Sequence, residues 1–481
     1  MSNSHSRVLI LGGGLSGLAA AHRLQESAPG ELEVRVLEAS PHLGGVIRTD
    51  HIDDMLLEMG PDSMITEKPW ALDLCRRLGI DQDLIPTQTR FRKTLVVRDG
   101  ALLPLPEAFQ MLAPAKILPF LRSPILSIPG RLRALLDIVI PRGGPPPGGD
   151  ETLGSFVRRR FGKEMLQRMA QPLVGGIYTA DPEKLSLATT LPRFLDLERN
   201  HRSVILGLRR QASQPTTQAA SGARFNLFQA PRGGMGSLVD RLVEQLPAET
   251  IQRQTRATGI RREEDWVVTT TEGEWRADGL IVALPAPRAA EVLDEMDPAL
   301  AADLASIPYA STAVAGLAYK RTDLARDPDF FGIIIPATEG SGIVAISVPS
   351  VKFEHRAPDD MVTLRVFLGG ALAPTLLQKS DEELLSIAHT EVQNLLGARG
   401  EPVLQRLARW NESMPQYHAG HTLKVLGIEE KAARHEKFAL AGNAYHGVGL
   451  PDAVHSGEQA ADSLLARGIT GRIIARKDDA R

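Results

Sequence analysis

The clearest apolar and polar patterning lies near the start of the chain. A short apolar run at 8–11 enters the glycines Gly12, Gly13 and Gly14. Leu15, Ser16 and Gly17 follow, and apolar residues then recur at helical spacing to Leu24. A second strand-like run at 34–37 ends at Glu38 and Ala39. The pattern predicts strand, tight turn, helix and strand. It is G-x-G-x-x-G in the context that motif requires, with an acid roughly 20 residues on. Gly12 permits the turn, Gly14 lets backbone approach a pyrophosphate, and Gly17 lets helix and strand pack closely. The helix N-terminus offers N–H groups and a positive dipole end to phosphates. Glu38 can accept two hydrogen bonds from a ribose. These elements predict a dinucleotide site.

The pattern changes several times further on. The stretch 102–141 holds seven prolines, long aliphatic side chains and the cations Lys116, Arg122, Arg131 and Arg133 against Glu107 and Asp137. Residues 142–150 read as a turn-rich linker and 151–210 as helices, with Thr152 as an N-cap. Residues 213–223 are small and polar, hence a loop. Residues 250–285 and 310–370 alternate as strands. The stretch 437–467 reads as strand, glycine-rich turn and helix. The tail at 476–481 is charged. We divide the chain into a discontinuous nucleotide domain (1–90, 226–288, 436–470), a sheet-containing domain (91–101, 205–225, 289–435), a helical domain (102–204) and a tail (471–481). The expected fold class is mixed α/β with a Rossmann-like domain.

Composition narrows the function classes. The 481 residues are 43% hydrophobic and 23% charged, as in a soluble globular protein. A net charge of −3 gives no reason to expect a nucleic-acid partner. The one cysteine, Cys75, excludes an internal disulfide framework and reads as a core residue. No apolar stretch precedes the first strand, so no secretory signal is expected. No apolar run reaches membrane-spanning length. His418, His421 and His446 lie near glycines without metal-site spacing, and read as hydrogen-bonding residues.

Three further segments extend the nucleotide reading. Gly44, Gly45, Val46 and Arg48 directly follow the ribose acid. Gly60, Pro61, Asp62 and Ser63 form a bend that can lie beside a flat ring. Near the other end, Asn443 closes a strand, and Val448, Gly449 and Leu450 lead into a helix. A helix N-terminus stabilises negative charge, and a reduced flavin carries that charge near N1 and O2. A second nucleotide-facing helix so far along the chain suits long FAD better than NAD.

The fingerprint, LGGVIRT, the Glu58–Ser63 stretch EMGPDS and AGNAYHGVGLPDAVHSG are arranged as in the flavin amine oxidase-like superfamily. Within it the chain resembles the oxygen-dependent porphyrinogen oxidases of haem synthesis. GGIYTADPEKLSL, HRSVILGL and RWNESMPQYHAGH carry that closer likeness. The resemblance spans about residues 7–465. It implies an FAD domain, a substrate domain and a helical membrane-docking domain. It also implies a six-electron oxidation of a porphyrinogen to a porphyrin by FAD and O₂, with release of H₂O₂. No catalytic side chain is implied, because the flavin carries the chemistry. The segment before the strand at 94–98 places Thr94 where the protoporphyrinogen branch has an arginine. That departure, with RWNESMPQYHAGH and SFVRRRFGKEM, favours coproporphyrinogen III over protoporphyrinogen IX.

The resemblance places Gly60 and 448–450 at the flavin edge, with Ala257 as a further cofactor contact. It places Leu173, Gly176, Ile334 and Phe367 on the substrate walls. Arg48, Arg92 and Lys93 are candidates for holding propionates. AGNAYHG lacks the cysteine of covalent amine oxidases, so FAD is expected to be non-covalent. A flavin amine oxidase or desaturase, and a non-catalytic porphyrin carrier, remain as alternatives. The expected setting is cytoplasmic and peripheral on the inner face of the cell membrane, with a ferrochelatase as a conceivable recipient of product. Nothing in the sequence sets an oligomeric state.

Overall fold

The computed structural model describes residues 6–143, 149–213 and 227–470. Five parallel strands form the nucleotide-domain sheet, in the order Ile251–Gln252, Leu32–Leu37, Ser6–Leu11, Gly279–Val282 and Phe438–Leu440. Side chains alternate across a strand, so a sheet buried on both faces needs a continuous apolar run. Val8 and Ile10 join the cluster under helices Leu15–Ser27 and Leu450–Ala466. Leu9 and Leu11 join the opposite cluster, with helices Ala286–Leu293, Pro298–Ala305 and His421–Ala432. Cys75 is buried in the first of these cores, and burial pushes its thiol up to about 12.

A seven-stranded sheet forms the second layer. Its order is Leu404–Pro415, Tyr309–Lys320, Met361–Gly369, Ile343–Ser347, Gly332–Ile334, Thr94–Arg98 and Ala101–Pro104. Helix Asp381–Leu396 covers one face through Leu384, Ala388, Val392 and Leu396. Ser380 and Glu383 close its N-terminus as a reciprocal capping box. The other face meets the nucleotide domain and the helices.

The helical region differs from expectation at both ends. The stretch from 102 opens as a strand, Ala101–Pro104, hairpinned to Thr94–Arg98. The turn residues Asp99 and Gly100 both have positive φ, as a two-residue hairpin turn requires. A short ladder of Phe109–Gln110 and Ala113–Pro114 follows. Prolines at 104, 106 and 114 exclude a helix here. Helices begin at Ile117–Arg122 and run past 204 to Val204–Ser213. Thr152 caps helix Leu153–Phe161, accepting from the Ser155 N–H at 3.2 Å. The expected linker lies partly outside the described residues, as do the loop after Ser213 and the tail.

A buried ion pair ties these helices together. Arg160 and Asp137 are both 0% exposed. Arg160 Nε donates to Asp137 Oδ1 at 2.6 Å, and its other nitrogens donate to the carbonyls of Asp137, Ile140, Pro141 and Arg202. Asp137 Oδ2 accepts from the Ser203 hydroxyl and the Ile205 N–H. Arg160 also reaches the Glu198 carboxylate at 3.3 Å, whereas the one cation bonded to Asp137 among the described residues is Arg160. Removing Arg160 leaves Asp137 as an uncompensated buried charge, which typically costs about 3–5 kcal/mol. Arg160→Met is therefore expected to lower stability by about that amount in a denaturant titration.

Candidate functional site

The ribose end of the site is built where the first two strands finish. The Glu38 carboxylate accepts from the Gly13 and Ser40 N–H groups, each at 2.7 Å. Its backbone is held on both sides: Glu38 N–H donates to the Gln252 carbonyl at 2.8 Å, and its carbonyl accepts from Thr255 N–H at 2.9 Å. Ala39 follows, and Ala257 opens the next strand just past Thr255. A carboxylate has about four acceptor sites, so Glu38 keeps capacity for a ribose.

The phosphate end is a cradle floored by glycine. Gly14 bridges to Gly44, whose N–H donates to the Gly13 carbonyl at 2.8 Å. A Cβ built on Gly14 would meet nothing nearer than the Gly45 Cα at 3.9 Å, so it would fill open space at the helix start. Gly14 is itself the N-cap of helix Leu15–Ser27 and offers that helix no side-chain acceptor. Leu15, Ser16 and Gly17 form its first turn. These residues fit a pyrophosphate. Val46 follows, and the Arg48 side chain turns outward into an exposed ion pair with Asp50 at 2.9 Å.

The second helix arrives beside the first. Helix Leu450–Ala466 also has a glycine N-cap, Gly449. A Cβ on Gly457 would collide with the Ser16 carbonyl, so only glycine permits this approach. Two helices whose N-termini lack side-chain caps therefore pack against each other near their starts. Asn443 is fixed by the Tyr417 hydroxyl, which donates to its carbonyl at 2.5 Å. Tyr417 stacks on His421 at 4.0 Å, and His421 Nε2–H donates to the Tyr445 carbonyl at 3.1 Å. Lys68 reaches Asp452 in the first helical turn at 2.6 Å.

The loop at 60–63, expected at the flavin edge, packs against the segment 46–48. Met59 N–H donates to the Arg48 carbonyl at 2.8 Å, and the Met59 carbonyl accepts from Trp410 Nε1–H at 2.7 Å. Gly60 lies so close to the Val46 carbonyl that a Cβ would clash. Pro61, Asp62 and Ser63 follow, and Asp62 is gripped by Lys352 and Arg365. Burial alone would raise the Asp62 carboxyl, but the charges of Lys352 and Arg365 overcome it and hold it well below the usual carboxylate range.

The expected substrate walls fall around one apolar cluster. Leu173, Ile334 and Phe367 all pack there, as does Val448 of the C-terminal loop. Gly176 sits on the same helix as Leu173, Gln171–Tyr178, and is exposed. Lys93 stands apart, in an exposed ion pair with Asp329 at 2.6 Å. Among the described residues, no group of three or more His, Cys, Asp or Glu gathers to hold a metal. The Tyr417–His421 stack and the Lys352 and Arg365 grip were not anticipated from sequence. The first lies within RWNESMPQYHAGH, and the second left a trace as one arginine in the apolar run MVTLRVFLG.

Burial pushes the His421 imidazole down from 6.5 to about 4. The folded protein therefore keeps it neutral where the unfolded chain binds a proton. Its contribution is complete above pH 6.5 and is lost as pH falls towards about 4. The loss amounts to roughly 3 kcal/mol at most. Denaturant titrations across this range should show that decline in the wild type and a shallower one in His421→Gln.

Comparison with known proteins agrees with this geometry. A family model described as flavin containing amine oxidoreductase matches residues 15–465. A coproporphyrinogen III oxidase of Propionibacterium freudenreichii is 35% identical, over 96% of this chain and 92% of its own length. That of Bacillus subtilis is 32% identical, over 97% of this chain and 99% of its own. A crystal structure from Exiguobacterium sp. 255-15, assigned as a protoporphyrinogen oxidase, superposes with a TM-score of 0.85 at 28% identity, covering 96% of this chain and 99% of that one. With a cleft lined by two glycine-capped helix starts and a family match along nearly its whole length, the chain belongs to the flavin-containing amine oxidoreductases, and FAD is its cofactor.

Proposed function

We propose that this protein oxidises coproporphyrinogen III to coproporphyrin III, using FAD and O₂ and releasing H₂O₂. The observation that carries this reading is the packing of Leu173, Ile334 and Phe367 around the same apolar cluster as Val448. A large, flat, mostly apolar macrocycle suits walls of that kind beside a ring-edge loop. The bound FAD would take a hydride from a meso carbon and pass the electrons to O₂. Glu38 and the glycine cradle would fix the nucleotide, while the 60–63 and 448–450 loops would orient the ring. The apolar walls would exclude water and hold the macrocycle against it.

Four propionates distinguish this substrate from protoporphyrinogen IX, which has two. Arg48 and Lys93 sit in exposed ion pairs. Such pairs contribute little, typically about 0–1 kcal/mol, so exchanging an aspartate for a propionate costs little. Anaerobically prepared coproporphyrinogen III and protoporphyrinogen IX, supplied separately with product fluorescence followed, should show a higher kcat/KM for the first. Equal values would reverse the preference, and turnover of amines alone would replace the reading with that of an amine oxidase.

The setting we infer is the membrane surface. No helix among the described residues is long and apolar enough to cross a bilayer. Leu118, Ile128, Leu132 and Leu136 are nonetheless exposed on helices Ile117–Arg122, Ile128–Leu135 and Leu136–Ile138, with Val139 exposed just beyond. Ile128, Leu132 and Leu136 recur every four residues and share a face, with Arg131 beside them. An apolar face flanked by cations suits an anionic bilayer surface. Sedimentation with anionic vesicles should exceed that with zwitterionic ones. Replacing Ile128 and Leu132 with serine should abolish the difference while leaving the fold intact, and unchanged sedimentation would refute the docking.

A further inference from the structure

Residues 60–63 belong to the nucleotide half of the molecule, yet they are held by side chains of the other half. Lys352 ends the short helix Pro349–Lys352, and Arg365 lies on strand Met361–Gly369. Lys352 Nζ is 2.8 Å from one Asp62 oxygen, and the Arg365 guanidinium is 3.2 Å from the other. Lys352 also donates to the Ser63 hydroxyl at 3.0 Å, and Arg365 donates to the Gly60 carbonyl. The Asp62, Lys352 and Arg365 side chains are 11%, 16% and 5% exposed. The grip is thus both on the charge of the loop and on its backbone.

The arithmetic of the cluster leaves a surplus. Two cations face one carboxylate. Behind them, Glu58 and Arg356 add one charge of each sign. Glu58 is bound by the Thr49 hydroxyl and the Met235 N–H, and Arg356 donates to the carbonyls of Pro231 and Arg232. Arg365 Nε is buried without a hydrogen-bond partner. A net buried positive charge is costly unless something nearby needs it. Its position suggests what that is. The loop packs on the Val46 carbonyl, next to Gly45, which lies against Gly14, and the Arg365 guanidinium is 4.9 Å from the Phe367 ring.

We propose that Lys352 and Arg365 are positioning residues that set the redox poise of the bound flavin. Acting through Asp62, they fix the 60–63 loop along the ring edge. Their surplus charge faces the negative charge that hydride uptake leaves on the ring. A fixed charge in a water-poor site acts without reorganisation at the moment of reaction. The inference rests on the FAD assignment and is independent of which substrate supplies the hydride.

The test is the midpoint potential of flavin in the purified holoprotein, read by photoreduction against a reference dye, with flavin content read from absorbance. Lys352→Met removes a positive charge, and Asp62→Asn removes a negative one. The first should lower the potential and the second raise it. Each should change the reduced-to-oxidised ratio at a fixed dye potential on the order of tenfold. Arg365→Lys keeps the charge and loses the bond to the Gly60 carbonyl. It should hold the potential near wild type while weakening FAD binding about fivefold. Shifts of the same sign in the first two variants would overturn the proposal, as would an unmoved potential in Lys352→Met. Loss of flavin from all three variants would overturn it as well, leaving the cluster a structural latch. A wild type that oxidises no porphyrinogen, with the opposed shifts intact, would refute only the substrate reading.

Discussion

The structure depends on one close approach between two helices. Helix Leu15–Ser27 is buried from Leu15 through His22, all the way round. A helix apolar on every side needs a partner on every side. The parallel sheet supplies one, helix Gly236–Glu244 another, and helix Leu450–Ala466 the third. The last can come near enough only because Gly457 has no side chain to meet the Ser16 carbonyl. That contact brings the second N-terminus beside the first. Without that approach the second helix could not pack against the start of the first.

Charge is handled differently in different parts of the molecule. In the helical region, the Arg160–Asp137 pair is completely enclosed and its polar atoms are bonded. Its effect is to fix how the helices meet. Along the 60–63 loop the charges do not cancel, and one guanidinium nitrogen keeps no partner. At the surface, Arg48 and Lys93 sit in ion pairs that exchange partners cheaply. The enclosed cluster holds the helices together, whereas the unbalanced one holds the 60–63 loop.

Much of the nucleotide domain could be read from sequence because its signals are local. A glycine turn between strand and helix has few other uses, and Glu38 and Gly449 stand where the spacing put them. The Thr152 cap was legible for the same reason. The hairpin at 99–100 carries an equally local signal, Asp-Gly between two apolar runs. The Asp62 grip could not be read in this way. Lys352 and Arg365 lie roughly 300 residues from the loop they hold, and no periodicity links such distant positions. Similarly, nothing local in the sequence links Lys93 with its ion-pair partner Asp329, far along the chain.

The strand order carries a consequence for how the molecule is made. Phe438–Leu440 is an edge strand of the parallel sheet, and helix Leu450–Ala466 packs directly on helix Leu15–Ser27. The first helix therefore cannot bury its apolar surface until residues beyond 450 have left the ribosome. Contacts this far apart in sequence form slowly and leave apolar surface exposed meanwhile. A site that needs both helix starts is then complete only once residues beyond 450 are in place. Over that interval the glycine fingerprint is complete in sequence, but the protein has as yet no site to fill.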